Sequence, residues 1–362
     1  MKYSFYAFTA VLGVAMANPS WAESSVNIYG YLDTGLQYVS NVGGQSATSM
    51  EGGALAPERI GMRGVEGLGN GLKAGFRLES GILTNRGSLV NSNRMFNRES
   101  SVFIGNDGMG TLSLGRMPDL MYEYVPKFLS PPAPSALVNK HPGNWDNYAS
   151  QYQYSNAVKY ESPEFAGFSL GAMYGFGDDQ WAGPKAITKS LGLRFRSGAW
   201  RMSATHSEHR QRPVAIRALT GVQEAFGMEL PMTPLVVDTL SNSAVGVSYR
   251  AADFIVASAF SYTRMKYDDR TANQRNFDVG GTYFLPAGMA LQLMYTHSNL
   301  DGARWDQITA LGAYSLSKRT KLYVKTMYQH ASGEADYAAM QNIGVSSSRS
   351  QAVVNAGISH MF

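Results

Sequence analysis

Apolar and polar residues alternate along much of this chain, in short segments separated by turn residues. The clearest is Gly71 to Gly81, where Leu72, Ala74, Phe76 and Leu78 fall on one face and Lys73, Gly75, Arg77 and Glu79 on the other. A strand separates these two sets completely, whereas a helix would mix them. The split recurs in Leu191 to Phe195, in Trp200/Met202/Ala204 against Arg201/Ser203/Thr205, in Leu291/Leu293/Tyr295 against Gln292/Met294/Thr296, and in Thr320 to Gln329. The pattern predicts about 16 strands. They lie near 25–38, 56–66, 71–84, 95–105, 110–118, 152–162, 167–176 and 188–196 in the first half, then near 199–207, 242–250, 253–264, 275–285, 287–298, 305–316, 320–330 and 350–362.

Alternation alone would also suit a soluble sandwich, so the connections decide. Short ones such as Gly67 to Gly71, Asn106 to Gly110, Ser197 to Ala199 and Pro286 to Gly288 take turns with long polar ones near 40–56, 85–95, 118–152, 177–188, 208–241, 265–275, 299–304 and 331–349. Tight turns at one rim and long loops at the other describe an antiparallel transmembrane β-barrel with short periplasmic turns and long extracellular loops. In hydrocarbon every backbone polar group must be paired within the protein, and strands achieve this only by closing on themselves. A barrel of this size leaves an aqueous channel.

Composition removes the competing classes. Only 16% of residues are charged against ~25% in ordinary soluble domains, with 38 Gly and 12% aromatics; disordered chains are poorer in aromatics and richer in charge. Cysteine is absent, which excludes disulfide scaffolds and thiolate metal sites. The N-terminus reads as a secretory signal, with Lys2, an apolar core from Tyr3 to Ala17, and Ser20-Trp21-Ala22 before cleavage. Residues 1–22 are therefore expected to be the leader and 23–362 the barrel. The slight basic balance, 31 Lys and Arg against 27 Asp and Glu, comes without a Lys/Arg block, so nucleic acid is not an expected partner.

Two motifs could suggest chemistry. Gly167-Phe-Ser-Leu-Gly171 fits the hydrolase elbow pattern, but that motif needs a strand-turn-helix, and here it lies in an alternating segment with Ser169 on the polar face. His206 and His209 lack a helical pattern and a third ligand. No cofactor, metal or enzymatic activity is expected. A barrel lipase using Ser169 and an adhesin using loop 208–241 are the rival readings; Arg210, Arg212, Arg217 and the apolar run Phe226 to Val237 in that loop find no role in the sequence alone.

Facing follows from parity. Arg59, Arg63, Lys73, Arg77, Arg98, Lys159, Arg194, Arg196, Arg201, Lys321 and Lys325 are expected to face the lumen, with fewer acids, Asp33, Glu79, Glu161 and Asp278. Lipid would cost such charges ~2–4 kcal/mol at mid-membrane. The basic excess points to a passive path for small hydrophilic solutes and inorganic ions, mildly anion-preferring; a channel with a site for one organic anion is the alternative. Arg116 shares parity with Leu112 and Leu114 and is expected to point outward.

Ser24 to Asp33, Arg59-Ile-Gly-Met-Arg-Gly64, Gly69 to Ala74, Leu78-Glu-Ser-Gly81, Gly110 to Arg116 and the terminal Asn355 to Phe362 resemble the neisserial-type general porins of β-proteobacteria. The resemblance implies a homotrimer of 16-stranded barrels in the outer membrane of a Gram-negative cell, each pore narrowed by an inward-folded third loop. It implies that outer-membrane lipids and lipopolysaccharide surround the barrel, and that the assembly machinery reads a last strand ending in Phe362. It also implies a constriction with basic wall residues facing loop acids. Carried over, these are Arg59, Arg77, Arg98 and Lys159 against Asp119, Glu123 and Asp146, with Arg116 at the trimer interface. Arg98 departs from the family pattern, because Glu99-Ser-Ser-Val precedes Phe103 and shifts its depth by ~7 Å.

Overall fold

The computed structural model describes residues 25–130, 141–177 and 185–362; the expected leader and Pro131, Pro132 and Pro134 lie outside them. Alternation produces sixteen antiparallel strands that close into one barrel. The first eight are β1 (Ser25–Val42), β2 (Arg59–Gly69), β3 (Leu72–Leu83), β4 (Glu99–Asn106), β5 (Gly110–Pro118), β6 (Gln153–Glu161), β7 (Phe168–Gly175) and β8 (Thr188–Ser197). The rest are β9 (Trp200–Val214), β10 (Leu235–Arg250), β11 (Phe254–Tyr267), β12 (Arg270–Phe284), β13 (Met289–Leu300), β14 (Ala303–Ser315), β15 (Thr320–Gly333) and β16 (Ser350–Met361). Each pairs with its chain neighbour, and β16 returns to β1 with Tyr31 opposite Met361 and Val39 opposite Val353. Closure removes the free edges that an open sheet would expose.

Facing agrees with parity. Along β7, Phe168 and Leu170 are exposed while Ser169 and Met173 are buried inward. Val256, Leu293, Val324 and Ile358 likewise stand exposed on the outer wall, where water would make a continuous apolar patch untenable. Tyr249 contacts both Trp200 and Phe254 at the short-turn rim, the position of an interfacial aromatic girdle. No helix among the described residues is long and apolar enough to cross a membrane.

Three connections differ from expectation. The expected long loops at 265–275 and 299–304 are tight turns, Tyr267 pairing with Arg270 and Leu300 with Ala303. The strands continue past the apolar band, and there polar residues occupy the outward positions, so the alternation that marks a strand fades before the strand ends. Loop 208–241 contracts for the same reason, β9 running on to Val214 and β10 starting at Leu235. What remains folds back into the barrel mouth. Ile216, Phe226, Leu230 and Val237 are buried with Trp145, Trp305, Ala335 and Ala339 in one apolar core. Phe226, Leu230 and Val237 of the run from Phe226 to Val237 are thus core, while Met232 and Val236 stay exposed.

Candidate pore constriction

The chain between β5 and β6 folds inward, and its sequence explains how. Asp119 caps a short helix, α1 (Leu120–Tyr124), by accepting from the backbone N–H of Tyr122 at 3.5 Å, which satisfies an otherwise orphaned donor. Pro126 opens a second, α2 (Pro126–Leu129). Leu120, Met121, Tyr124, Val125 and Leu129 are buried against the wall. The wall makes room with glycine: a Cβ on Gly171 or Gly192 would overlap the Tyr124 ring or hydroxyl, and one on Gly246 would overlap Leu129. Gly171 is the last glycine of the hydrolase-like motif, so packing accounts for it. Ser169 faces inward and accepts from Arg194 Nε at 3.2 Å.

The far end of the loop is anchored by charge. His141 is fully buried, its Nδ1 at 2.6 Å from Asp146 and its Nε2 at 2.9 Å from Asp278 on β12. Ser261 donates to Asp146 at 2.6 Å, Asn276 to Asp146 at 3.2 Å and Thr296 to Asp278 at 2.6 Å. Asn242 and Gln274 donate to the carbonyls of Trp145 and Pro142 at 2.8 and 3.0 Å. Burial alone would lower the His141 pKa, but Asp146 and then Asp278 outweigh it and hold the imidazolium up to about 10. Burial would raise Asp146, and His141 outweighs this to keep it low.

Two charged clusters face the remaining lumen. On the wall, Glu79 receives Arg98 Nε at 2.6 Å and the Tyr29 hydroxyl at 3.0 Å, with Arg59 at 4.0 Å. Arg77 lies 3.3 Å from Glu99, which also accepts from Ser101. On the loop side Glu123 meets Lys159 at 2.5 Å and Lys127 at 3.6 Å. Arg194 bridges to Glu161 at 3.4 Å and lies 4.1 Å from the Tyr124 ring centroid. Burial would raise the Glu123 pKa, yet Lys159 and Lys127 hold it down, and Arg77 from the wall adds to this.

Arg59, Arg77 and Arg98 thus gather about Glu79 and Glu99 on the wall, and Lys159 sits beside the loop acid Glu123 rather than facing it. Arg98, just ahead of β4, reaches Glu79 despite its irregular surroundings. Asp119 and Asp146 do not join them. Both side chains are wholly buried in the seam between loop and wall, Asp119 taking Asn147 Nδ2 at 3.0 Å, so neither presents charge to the pore. Burial pushes Asp119 up to about 7 against its hydrogen bonds from Asn147 and Tyr122. Arg116 follows a bulge at Gly115 and donates to the Asn97 carbonyl and to Ser155 Oγ, both at 2.8 Å. Phe362 exchanges backbone hydrogen bonds with Gly30. His206 and His209 fall on opposite faces of β9, which rules out a shared metal, and no metal-ligating cluster occurs among the described residues. Parity put Glu79 in the lumen but gave no hint of its hub role. His141 carried no local signal, because its second carboxylate lies far along the chain.

Comparison with known proteins agrees with this geometry. The family described as Gram-negative porin matches residues 7–334. An outer membrane porin protein 32 of Delftia acidovorans is 28% identical over the full length of both chains. The major outer membrane protein P.IB of Neisseria meningitidis serogroup B is 25% identical, covering 94% of this chain and 97% of its own. Among solved structures, an anion-selective porin from Comamonas acidovorans superposes with a TM-score of 0.78 at 23% identity, covering 94% of this chain and 100% of its own. The chain belongs to the Gram-negative porin family: it is an outer-membrane β-barrel channel for passive diffusion, not an enzyme.

Proposed function

We propose that this porin favours small anions at its narrowest point and works as one barrel of a homotrimer. The carrying observation is the state of the acids at the constriction. Glu79 is shared by Arg98, Arg59 and Tyr29, and Glu123 by Lys159 and Lys127, so positive charge is left over on both sides. A narrow water-filled path lined by one sign of charge raises the local concentration of the opposite ion. Arg59, Arg77 and Arg98 contribute most from the wall. Asp119 and Asp146 hold the loop in place instead of repelling anions. The anion-selective porin from Comamonas acidovorans, which shares this fold, fits the same preference here.

Arg116, held outward on β5, is assigned to the contact between subunits. Residues 1–22 are assigned to a leader removed after Ala22, and Phe362 to recognition by the assembly machinery. The apolar outer wall is assigned to contact with membrane lipid and lipopolysaccharide. The test is the reversal potential of the purified protein in a planar bilayer under a salt gradient. An anion-side potential is expected; a cation-side one overturns the preference while leaving the channel intact.

A further inference from the structure

We infer that the mouth of the barrel holds a binding site for a small zwitterion, the chemistry of an amino acid with an apolar side chain. The site is a cavity apart from the constriction, and it does not depend on the anion preference proposed above.

The cavity has a volume of about 230 Å³, below the ~300–1,000 Å³ of pockets for drug-sized ligands, so it suits a solute of few atoms. None of Arg59, Arg77, Arg98, Lys159 or Glu123 lines it. Its floor is a row of inward side chains that the strand register sets side by side: Gln37 on β1, Asn355 on β16 and Lys325 on β15. One side is Glu51 to Ala54 of the first long loop. That loop turns into the barrel because Asp33 accepts the backbone N–H groups of Leu55 and Ala56 at 2.6 and 3.3 Å. Glu58 steadies it, accepting the backbone N–H groups of Asp33 and Thr84, both at 3.1 Å. The roof is Met340 to Ile343 of the last long loop. It is tied across the mouth to the inward loop, Gln341 donating to Gln151 at 2.9 Å and Gln151 to Asn342 at 2.8 Å.

The lining combines three chemistries. It holds one group of each sign, Lys325 and Glu51. Lys325 is buried, its ammonium donating to the Ala54 carbonyl at 3.0 Å. Glu51 is half-buried, and its carboxylate has neither an ion pair nor a hydrogen bond among the described residues. Amides come next, each able to donate and accept at once. Asn355 Nδ2 donates to Gln37 Oε1 at 2.9 Å, and the Gln37 Nε2 group has no protein partner among the described residues. The third part is apolar: Met340 packs with Val39 and Val353, with Met327 and Ile343 beside them.

A solute with one charge would gain at one end of this lining and be repelled at the other. A neutral sugar would leave the Glu51 carboxylate unmatched. A zwitterion suits the whole of it, its carboxylate toward Lys325 and the Gln37 and Asn355 amides, its ammonium toward Glu51, and an apolar side chain on the methionines. Charge-assisted hydrogen bonds of this kind are about twice as strong as neutral ones. A field that concentrates ions by net charge does nothing for a molecule whose net charge is zero, and this cavity would supply what the field does not.

The test is titration calorimetry of the detergent-solubilised, folded protein with leucine, with its des-amino analogue 4-methylpentanoate and with its des-carboxy analogue 3-methylbutylamine. Leucine should bind saturably, and each analogue should bind about tenfold more weakly or worse. Glu51→Gln leaves the Asp33 and Glu58 anchors in place. It should weaken leucine by about tenfold without weakening 4-methylpentanoate. Lys325→Met should weaken leucine and 4-methylpentanoate but not 3-methylbutylamine, with hydrogen-exchange protection at Leu55 and Ala56 showing that the loop is still seated. No saturable leucine binding by the wild type would overturn the site. Equal affinity for leucine and 4-methylpentanoate would overturn it too, leaving an anion site, and so would wild-type leucine affinity in Glu51→Gln. The reversal potential in plain salt reports the anion preference separately, so either reading can fail without the other.

Discussion

Replacing His141 with leucine should release the inward loop from the wall. The imidazolium is, among the described residues, the only cation between Asp146 and Asp278, at 2.6 and 2.9 Å, and all three side chains are shut off from water. Removing one member of a buried ion pair costs ~3–5 kcal/mol because the remaining charge has no partner, and here two carboxylates would be stranded. That cost falls on the loop rather than on the barrel ladder. At ~3 kcal/mol the open fraction of the loop would rise by roughly two powers of ten. The pH dependence has a definite sign. The folded-state pKa of His141 is raised to about 10, so its stabilisation is complete below ~6.5, the unperturbed value. It declines between there and about 10, and is lost above. Asp146 is lowered, so its share is present above ~3.9 and disappears only as pH falls through the lower folded value. Hydrogen exchange of the backbone amides of residues 141–153 and the closing voltage in planar bilayers are the assays. His141→Leu should lose protection and close at lower voltage, and the triple change His141→Leu/Asp146→Asn/Asp278→Asn should recover part of both. Wild-type protection in His141→Leu, or protection in the wild type that rises from pH 6.5 to 10, would refute the latch.

Other substitutions test separate parts. Trp145→Ala removes a large side chain from the apolar core in the mouth and should cost ~3–5 kcal/mol there, seen as faster cleavage of residues 215–234 and 334–349 by added protease with the barrel still heat-modifiable. Gly192→Val should drive Tyr124 and α1 off the wall and change single-channel conductance; an unaltered conductance would mean that α1 does not shape the pore. Arg116→Ala should lower the temperature at which the trimer dissociates on semi-native gels, and unchanged melting would take this residue out of the subunit contact.

The barrel was legible in the sequence because lipid on one side and water on the other impose a period of two that no other fold repeats so often. It became illegible where that contrast ends. Beyond the apolar band the outward positions of β9, β11 and β12 are polar, and Lys266 and Asn273 read as loop although they are strand. Facing was legible for the same reason, which is why Arg59, Arg77 and Ser169 were correctly turned inward. Depth and partnership were not. Asp119 and Asp146 carry the right charge in the right loop, yet burial against β9 and β12 makes them anchors, and parity says nothing about a loop. The role of His141 depends on Asp278, 137 residues away in the chain, and no local pattern reports such a pairing. The apolar run from Phe226 to Val237 had no reading until Trp145 and Trp305 were brought against it.

The most direct test of the basic constriction is the reversal potential of Arg59→Gln/Arg98→Gln against wild type, in the same planar bilayer and salt gradient. Glu79 would lose both guanidinium partners and regain its charge toward the path. The potential is expected to move toward the cation side with single-channel steps still present. An unshifted potential in a conducting, correctly folded double variant would contradict the claim that these arginines set the ion preference.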